Sequence, residues 1–248
     1  MADPQHRDLT KTFTIDGEAL TVLKNINLDI RAGESLAIVG ASGSGKTTLL
    51  RVLAGLEEPD DGGGFIDGAP VLGLARERAV IFQVPRLLPW LRVLGNVAFG
   101  LELRGVPRAE AEARSRHYLD LVGLGCFEAA WPWQLSGGMA QRVGIARALT
   151  MQPEILLLDE PFGTLDAMTR ITMQDELVRI WTEEAVTMVL VTHDLEEAIF
   201  LADRVLVLPR SKGGVFRLIK VDLPRPRDRN DAEFVRHRRQ LMAEFGLH

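Results

Sequence analysis

The chain has 248 residues, 46% of them hydrophobic and 25% charged, with a formal net charge of −5 and a pI near 5.6. That size holds one large α/β domain or two small ones with a full core. The acidic balance argues against a surface that coats nucleic acid, which needs a basic face to neutralise phosphates. No apolar run approaches the roughly 18 residues that span a bilayer. The first eight residues lack the charge pattern and apolar stretch of a signal peptide, so the protein is expected in the cytoplasm unless a partner holds it elsewhere. The single cysteine, Cys126, excludes an internal disulfide and is read as a packing residue; no Cys or His lies at zinc-ligand spacing from it.

In chain order, residues 12–15, a turn at Asp16-Gly17, residues 20–23, and Ile26, Leu28 and Ile30 alternating with polar positions predict antiparallel strands. Phe13 fits packing in that sheet or stacking against a flat ring, and the pattern favours packing. The apolar run Leu36-Ala37-Ile38-Val39 then leads into Gly40-Ala41-Ser42-Gly43-Ser44-Gly45-Lys46-Thr47-Thr48, followed by Leu49-Leu50-Arg51-Val52-Leu53. This is a full match to G-x-x-x-x-G-K-[ST] between a buried strand and an amphipathic helix, the context a phosphate-binding loop requires. Glycines at 40, 43 and 45 let the backbone turn successive N–H groups toward one point at a helix N-terminus, where a polyphosphate fits. Lys46 reaches the β- and γ-phosphates, and the Thr47 hydroxyl completes the shell of a Mg²⁺ ion.

Residues 62–71 read as a hairpin and residues 79–83 as a core strand ending on Gln83, at the edge where open α/β folds bind ligands. From 90 to about 150 the pattern is helical: one helix over 110–122, a second after Leu135-Ser136-Gly137-Gly138 through Met139, Val143, Ala146 and Leu149, closed by Pro153. Ile155-Leu156-Leu157-Leu158 is an apolar strand ending in Asp159-Glu160-Pro161. Another, 186–191, ends in Thr192-His193-Asp194, with Asp194 as a helix cap and Glu197 three residues on. Residues 205–208 and 215–221 finish the sheet, and 232–245 read as a terminal helix. Arg225, Arg227, Arg229, Arg236, Arg238 and Arg239, mixed with acids, are read as a solvated face. The expected fold is α/β: a P-loop NTPase core with a mainly parallel sheet over 10–89 and 151–222, an N-terminal antiparallel β-subdomain, an inserted α-helical subdomain over 90–150, and a tail over 223–248.

Gln83, Asp159, Glu160 and His193 each end a predicted strand or open the helix after it. Any one alone reads as a cap or turn; beside a phosphate loop the four make a hydrolytic site. Asp159 can hold Mg²⁺ through its water shell, and Glu160 can orient and deprotonate the attacking water. His193 can hydrogen-bond a γ-phosphate oxygen and so report its presence.

With these residues in place the sequence resembles the ATP-binding subunits of ABC transporters over nearly its whole length. The most specific element is Leu135-Ser136-Gly137-Gly138-Met139-Ala140-Gln141-Arg142, which matches the LSGGxxQR signature. The resemblance implies that Gln83 is the Q-loop glutamine, Asp159 and Glu160 the Walker B pair, Gly163-Thr164-Leu165-Asp166 the D-loop, His193 the switch histidine and Phe13 the adenine-stacking aromatic. It also implies a metal site of Thr47, Gln83 and Asp159, and nucleotide contacts from Ser136, Gly137, Gly138, Gln141 and Asp166. A serine and two glycines at a helix start form a second anion-binding terminus. One ATP is then held between two termini that, in the family, belong to different subunits, so ATP closes a head-to-tail dimer and hydrolysis opens it.

Phe82-Gln83-Val84-Pro85-Arg86-Leu87-Leu88-Pro89-Trp90, Pro161-Phe162-Gly163-Thr164-Leu165-Asp166-Ala167 and Leu223-Pro224-Arg225-Pro226-Arg227-Asp228 look like the subgroup that imports nitrate, sulfonates, taurine and related solutes. Val84-Pro85 and Trp131-Pro132-Trp133 depart from that subgroup's usual character. The resemblance implies a separate integral-membrane permease, a second ATP-binding subunit (identical or a close paralogue), a solute-binding protein acting indirectly, no nucleic acid, and a peripheral place on the cytoplasmic side of the cell membrane. The rival reading is a non-transport ABC ATPase acting on DNA or ribosomes. No sustained heptads separate the phosphate loop from the signature, and the chain carries one cassette, which count against it. A phosphate-loop kinase is disfavoured by the signature and by Glu160. Leu87-Leu88-Pro89-Trp90 either packs under the helical subdomain or lines a groove for a short helix of the permease.

Overall fold

The computed structural model describes residues 8–66, 68–209 and 216–244. The chain forms two compact units, Met1–Ala75 with Ala185–His248, and Arg76–Glu184. The first begins with strands β1 (Leu9–Ile15), β2 (Glu18–Ile26), β3 (Asp29–Ile30) and β4 (Ser35–Val39), helix α1 (Lys46–Ala54), and strands β5 (Phe65–Ile66) and β6 (Ala69–Pro70). The second holds β7 (Arg78–Ile81), α2 (Val93–Leu103), α3 (Arg108–Leu121), α4 (Gly137–Leu149), β8 (Ile155–Asp159) and α5 (Ala167–Glu184). The chain then returns to the first unit with β9 (Thr187–Val191), α6 (Leu195–Leu201), β10 (Arg204–Val207), β11 (Arg217–Lys220) and α7 (Ala232–Glu244).

In the first unit β1 and β2 form the expected antiparallel hairpin, and Asp16 and Gly17 turn it with φ of 51° and 84°. Positive φ at both central residues is what a tight right-twisted hairpin requires, which is why Asp-Gly stands there. β4 lies between β9 and β10, parallel to both, with β11 antiparallel outside β10. Every residue of β4 and β9 is buried, the polar first residues Ser35 and Thr187 as well as the apolar runs that follow them, as the rule for parallel strands covered on both faces expects. β3, β5 and β6 make a small separate sheet. Asp67, inside the predicted hairpin, lies outside the described residues, as do the first seven residues, 215 and 245.

In the second unit β7 and β8 run parallel, with Ile81 opposite Leu158. Helices α2, α3 and α4 lie within 90–150, and Ala98, Leu101 and Ala111 pack together with Val106 and Met151 against them. The reading of Cys126 is corrected: it is exposed, on a one-turn 3₁₀ segment, Gly125–Phe127, while the neighbouring Val122 and Leu124 take the buried positions. The solvated face expected of the C-terminal arginines is corrected in part as well. The side chains of Arg225 and Arg227 are 19% and 3% exposed, because backbone carbonyls draw both inward. Among the described residues no helix is long and apolar enough to cross a membrane.

Candidate functional site

The phosphate loop is built by the strand before it and the helix after it. β4 delivers the chain to Gly40, and α1 begins at Lys46 with Gly45 as its left-handed cap (φ 96°). A Cβ on Gly45 would sit 2.8 Å from Leu23 Cδ2, and one on Gly40 would sit 2.5 Å from Ser44 Oγ, so side chains at these positions would push the loop open. Lys46 is 8% exposed, and its Nζ donates to the carbonyls of Gly40 (3.0 Å) and Ala41 (3.1 Å), lying back over the loop it serves. Ser44 Oγ is buried without a hydrogen-bond partner among the described residues. A buried hydroxyl in a glycine-rich ring of N–H groups fits an anionic oxygen, so the loop suits a polyphosphate on its own geometry.

Beside this loop, within the same unit, Thr192 N donates to Ile38 O (3.2 Å) and Leu208 N to Val39 O (2.8 Å). His193 therefore follows a strand that ends next to the loop's entry, and its residue is exposed. The backbone on either side of it is pinned. Thr192 Oγ1 donates to Glu197 Oε2 (2.8 Å) and accepts from Asp194 N (3.0 Å), while Asp194 Oδ1 accepts from Glu196 N and Glu197 N as the cap of α6. Phe13 is half-buried on β1, with the Lys11 ammonium 5.3 Å from its ring centroid.

In the second unit the pairing of Ile81 with Leu158 brings Gln83 alongside Asp159 and Glu160 at the carboxyl ends of their strands. Gln83 Nε2 donates to Glu160 Oε2 (3.1 Å). Asp159 is 7% exposed, and Glu160 holds a φ of 46°. Ser136 caps α4, its Oγ accepting from Met139 N (3.2 Å), and Gly138 lies against the Asp166 loop, where an added Cβ would meet Leu165 Cδ2 at 3.4 Å. Asp166 accepts from Thr169 N (3.0 Å) at the start of α5, a bond that holds its carboxyl below the usual range.

Gln141 is 1% exposed and donates to Phe82 O (3.1 Å), which ties α4 to the segment that leads from β7 to Gln83. Sequence reasoning missed the second tie. Arg147 donates to Pro85 O (2.7 Å) and Arg86 O (3.1 Å), burial pushing its guanidinium pKa down, and a Cβ on Gly144 would touch Pro85 Cβ at 3.3 Å. The only signal for it was the small-residue run around 144–148. Phe13, the loop over 40–48 and His193 thus fall in the first unit, and Gln83, Asp159, Glu160, the signature and Asp166 in the second.

Residues 23–163, more than half of the chain, match the ABC transporter family. The chain belongs to the ABC transporter family. It is an ABC-type ATPase, with the P-loop NTPase fold of that family. It is 48% identical over 95% of its length to an uncharacterized ABC transporter ATP-binding protein of Methanocaldococcus jannaschii, covering 88% of that protein. It is 51% identical to a taurine import ATP-binding protein of Pseudomonas putida, over 83% of this chain and 79% of that one. An aliphatic sulfonates import ATP-binding protein of Mycobacterium sp. (strain MCS) is also 51% identical, over 92% of this chain and 89% of that one. Among solved structures, the dimeric structure of a bacterial ABC transporter cassette superposes with a TM-score of 0.79 at 35% identity, over 88% of this chain and 98% of that one. The same scores hold for a dimeric post-hydrolysis state of that cassette bound to ADP and Pi.

Proposed function

We propose that this ABC ATPase drives import of a small sulfonate, taurine or an alkanesulfonate, through a separate membrane permease on whose cytoplasmic side it sits. What supports the reading is 51% identity, over most of the chain, to relatives named for taurine and for aliphatic sulfonate import.

In this reading the loop over 40–48 wraps the phosphates, Lys46 turns from its carbonyls to the β- and γ-phosphates, and Phe13 stacks on the adenine. Mg²⁺, when bound, neutralises charge on the phosphate oxygens; Thr47, Asp159 and Gln83 are the residues that would hold it, Asp159 through water. Glu160 takes the proton of the attacking water, and His193 donates to the γ-phosphate. Ser136, Gly137 and Gly138 present the N-terminus of α4 to the nucleotide of a second subunit, and Asp166 closes that interface. The helical region is assigned to 90–150 and the remainder of 10–222 to the nucleotide-binding core.

Trp90 carries the permease contact. It is 68% exposed and, with Leu91, Arg92, Leu94, Gly95 and Trp131, lines a cleft of about 370 Å³ in the second unit. Arg92 lies 4.7 Å from the Trp131 ring, which is itself stacked on Trp133. An aromatic anchor beside a groove is the arrangement that receives an amphipathic helix.

Reconstituted in vesicles with its permease, the chain should support ATP-dependent uptake of taurine or an alkanesulfonate. Uptake of nitrate with neither sulfonate transported would overturn the substrate assignment.

A further inference from the structure

The two inward-turned arginines converge on one short helix. Arg227 Nη1 donates to the carbonyls of Ile199 (2.6 Å) and Ala202 (2.7 Å), and Arg225 Nη2 to that of Leu201 (2.8 Å), with Arg225 Nη1 on Phe200 O (3.1 Å). These carbonyls close α6, where a helix has no intrahelical donors left for them. Cationic guanidinium groups also complement the partial negative charge at that end. Arg229 lays its guanidinium over the Phe200 ring at 3.7 Å. Burial pushes the Arg227 pKa down to about 10, which leaves it charged at neutral pH.

The helix they close is the one that follows His193. Seven residues make a rod roughly 10 Å long at 1.5 Å per residue, too short to bend between its ends. Its first turn is locked to Thr192 and Asp194, the two neighbours of His193. Its last turn is locked to Arg225 and Arg227. Asp203 extends the clamp to β4: one carboxylate oxygen accepts from Arg225 (3.1 Å) and the other from Ser35 N (3.1 Å), the first residue of the strand that ends at the phosphate loop. Arg238 pairs with Glu196, so α7 lies along the same rod.

We propose that Arg227, assisted by Arg225, is a positioning residue for His193: it fixes the far end of α6 and thereby the place of the imidazole beside the phosphate loop. This rests on the assignment of His193 to the γ-phosphate. A strap that merely fastened the C-terminal tail would affect stability alone, and would do so whatever stood at 193.

A double-mutant cycle on the full chain separates these cases, with ATP hydrolysis and thermal melting measured for wild type, Arg227→Gln, His193→Ala and the pair. Arg227→Gln should lower kcat about 10- to 100-fold, the scale of a misplaced catalytic group, with KM for ATP changed less than about threefold. The pair should be no slower than His193→Ala alone, and Arg227→Lys should recover part of the rate. Equal fold-losses from Arg227→Gln in both backgrounds would overturn the positioning role while leaving His193 in place. Wild-type hydrolysis by His193→Ala would overturn the histidine assignment and this inference with it. Should Arg227→Gln fail to fold, Arg225→Gln, which leaves the Arg227 contacts intact, completes the same cycle with the same expected pattern and a smaller loss.

Discussion

At Glu160 the backbone and the side chain are both constrained. Its φ of 46° lies in the left-handed region, which costs a non-glycine residue on the order of 1–2 kcal/mol. That conformation is where β8 ends and the chain turns toward Pro161. The carboxylate is held by the Gln83 amide at 3.1 Å, so the group assigned as base is tied to a group assigned to the Mg²⁺ site. Glu160→Gln keeps this shape, since an amide oxygen still accepts from Gln83, but removes the proton acceptor. Hydrolysis should fall about 10²- to 10⁴-fold while nucleotide binding is retained, as read by steady-state phosphate release and a fluorescent-nucleotide titration. Near wild-type turnover would remove Glu160 from the chemistry. The motif residues were legible at this scale because phosphate chemistry fixes residue type and spacing together. The inward course of Arg225 and Arg227 was not, since a basic stretch on a polar tail carries no mark of which carbonyls lie within reach.

Among the elements, the strands were the easiest to read, one helix escaped, and another was placed only within the helical region over 90–150 without bounds of its own. β4, β8 and β9 are built on short apolar runs ended by glycine, aspartate and threonine respectively, too short for a helix and too apolar for an exposed strand. Helix α5 was missed although Met173, Leu177 and Ile180 are buried at helical spacing, because the polar Gln174 is buried on the same face while the apolar Met168 and Ile171 are exposed, which blurs the period. Helix α2 carries Gly95, Gly100 and a fully buried Asn96 among apolar residues, so neither period stands out. Hydrogen bonding accounts for that asparagine. Its side chain accepts from Leu88 N (2.7 Å) and donates to the carbonyls of Leu88 (3.1 Å) and Leu91 (2.9 Å), folding residues 88–92 onto α2 and leaving Trp90 turned outward. Both leucines of the segment are less exposed than Trp90, so the two alternatives for it divide by residue: leucines toward the helices, tryptophan on the cleft. Trp90→Asp should therefore leave folding and ATP hydrolysis intact and abolish co-purification with the permease. A variant that still assembled and transported normally would sink the docking assignment, and one that lost its thermal transition would return Trp90 to a packing role.

For the whole molecule, the division of labour between the two units is the central fact. One carries a phosphate loop and the histidine beside it; the other carries the carboxylates, the glutamine and a second helix N-terminus capped by Ser136. A single chain thus owns two helix N-termini beside glycine-rich motifs, one capped by Gly45 and one by Ser136, and we propose that they serve two different nucleotides in a head-to-tail pair. The dimeric cassette to which this chain is similar is the reason to expect a pair of chains. Mixing Ser136→Arg chains with Lys46→Ala chains tests this most directly, because in a mixed dimer both lesions fall in one site and the other is assembled from intact parts. Each variant alone should be inactive, and an equimolar mixture should recover roughly a quarter of the wild-type ATPase rate, as random pairing gives about half mixed dimers with one of two sites intact. A mixture as inactive as its components, or full hydrolysis by Ser136→Arg alone, would contradict sites shared between subunits.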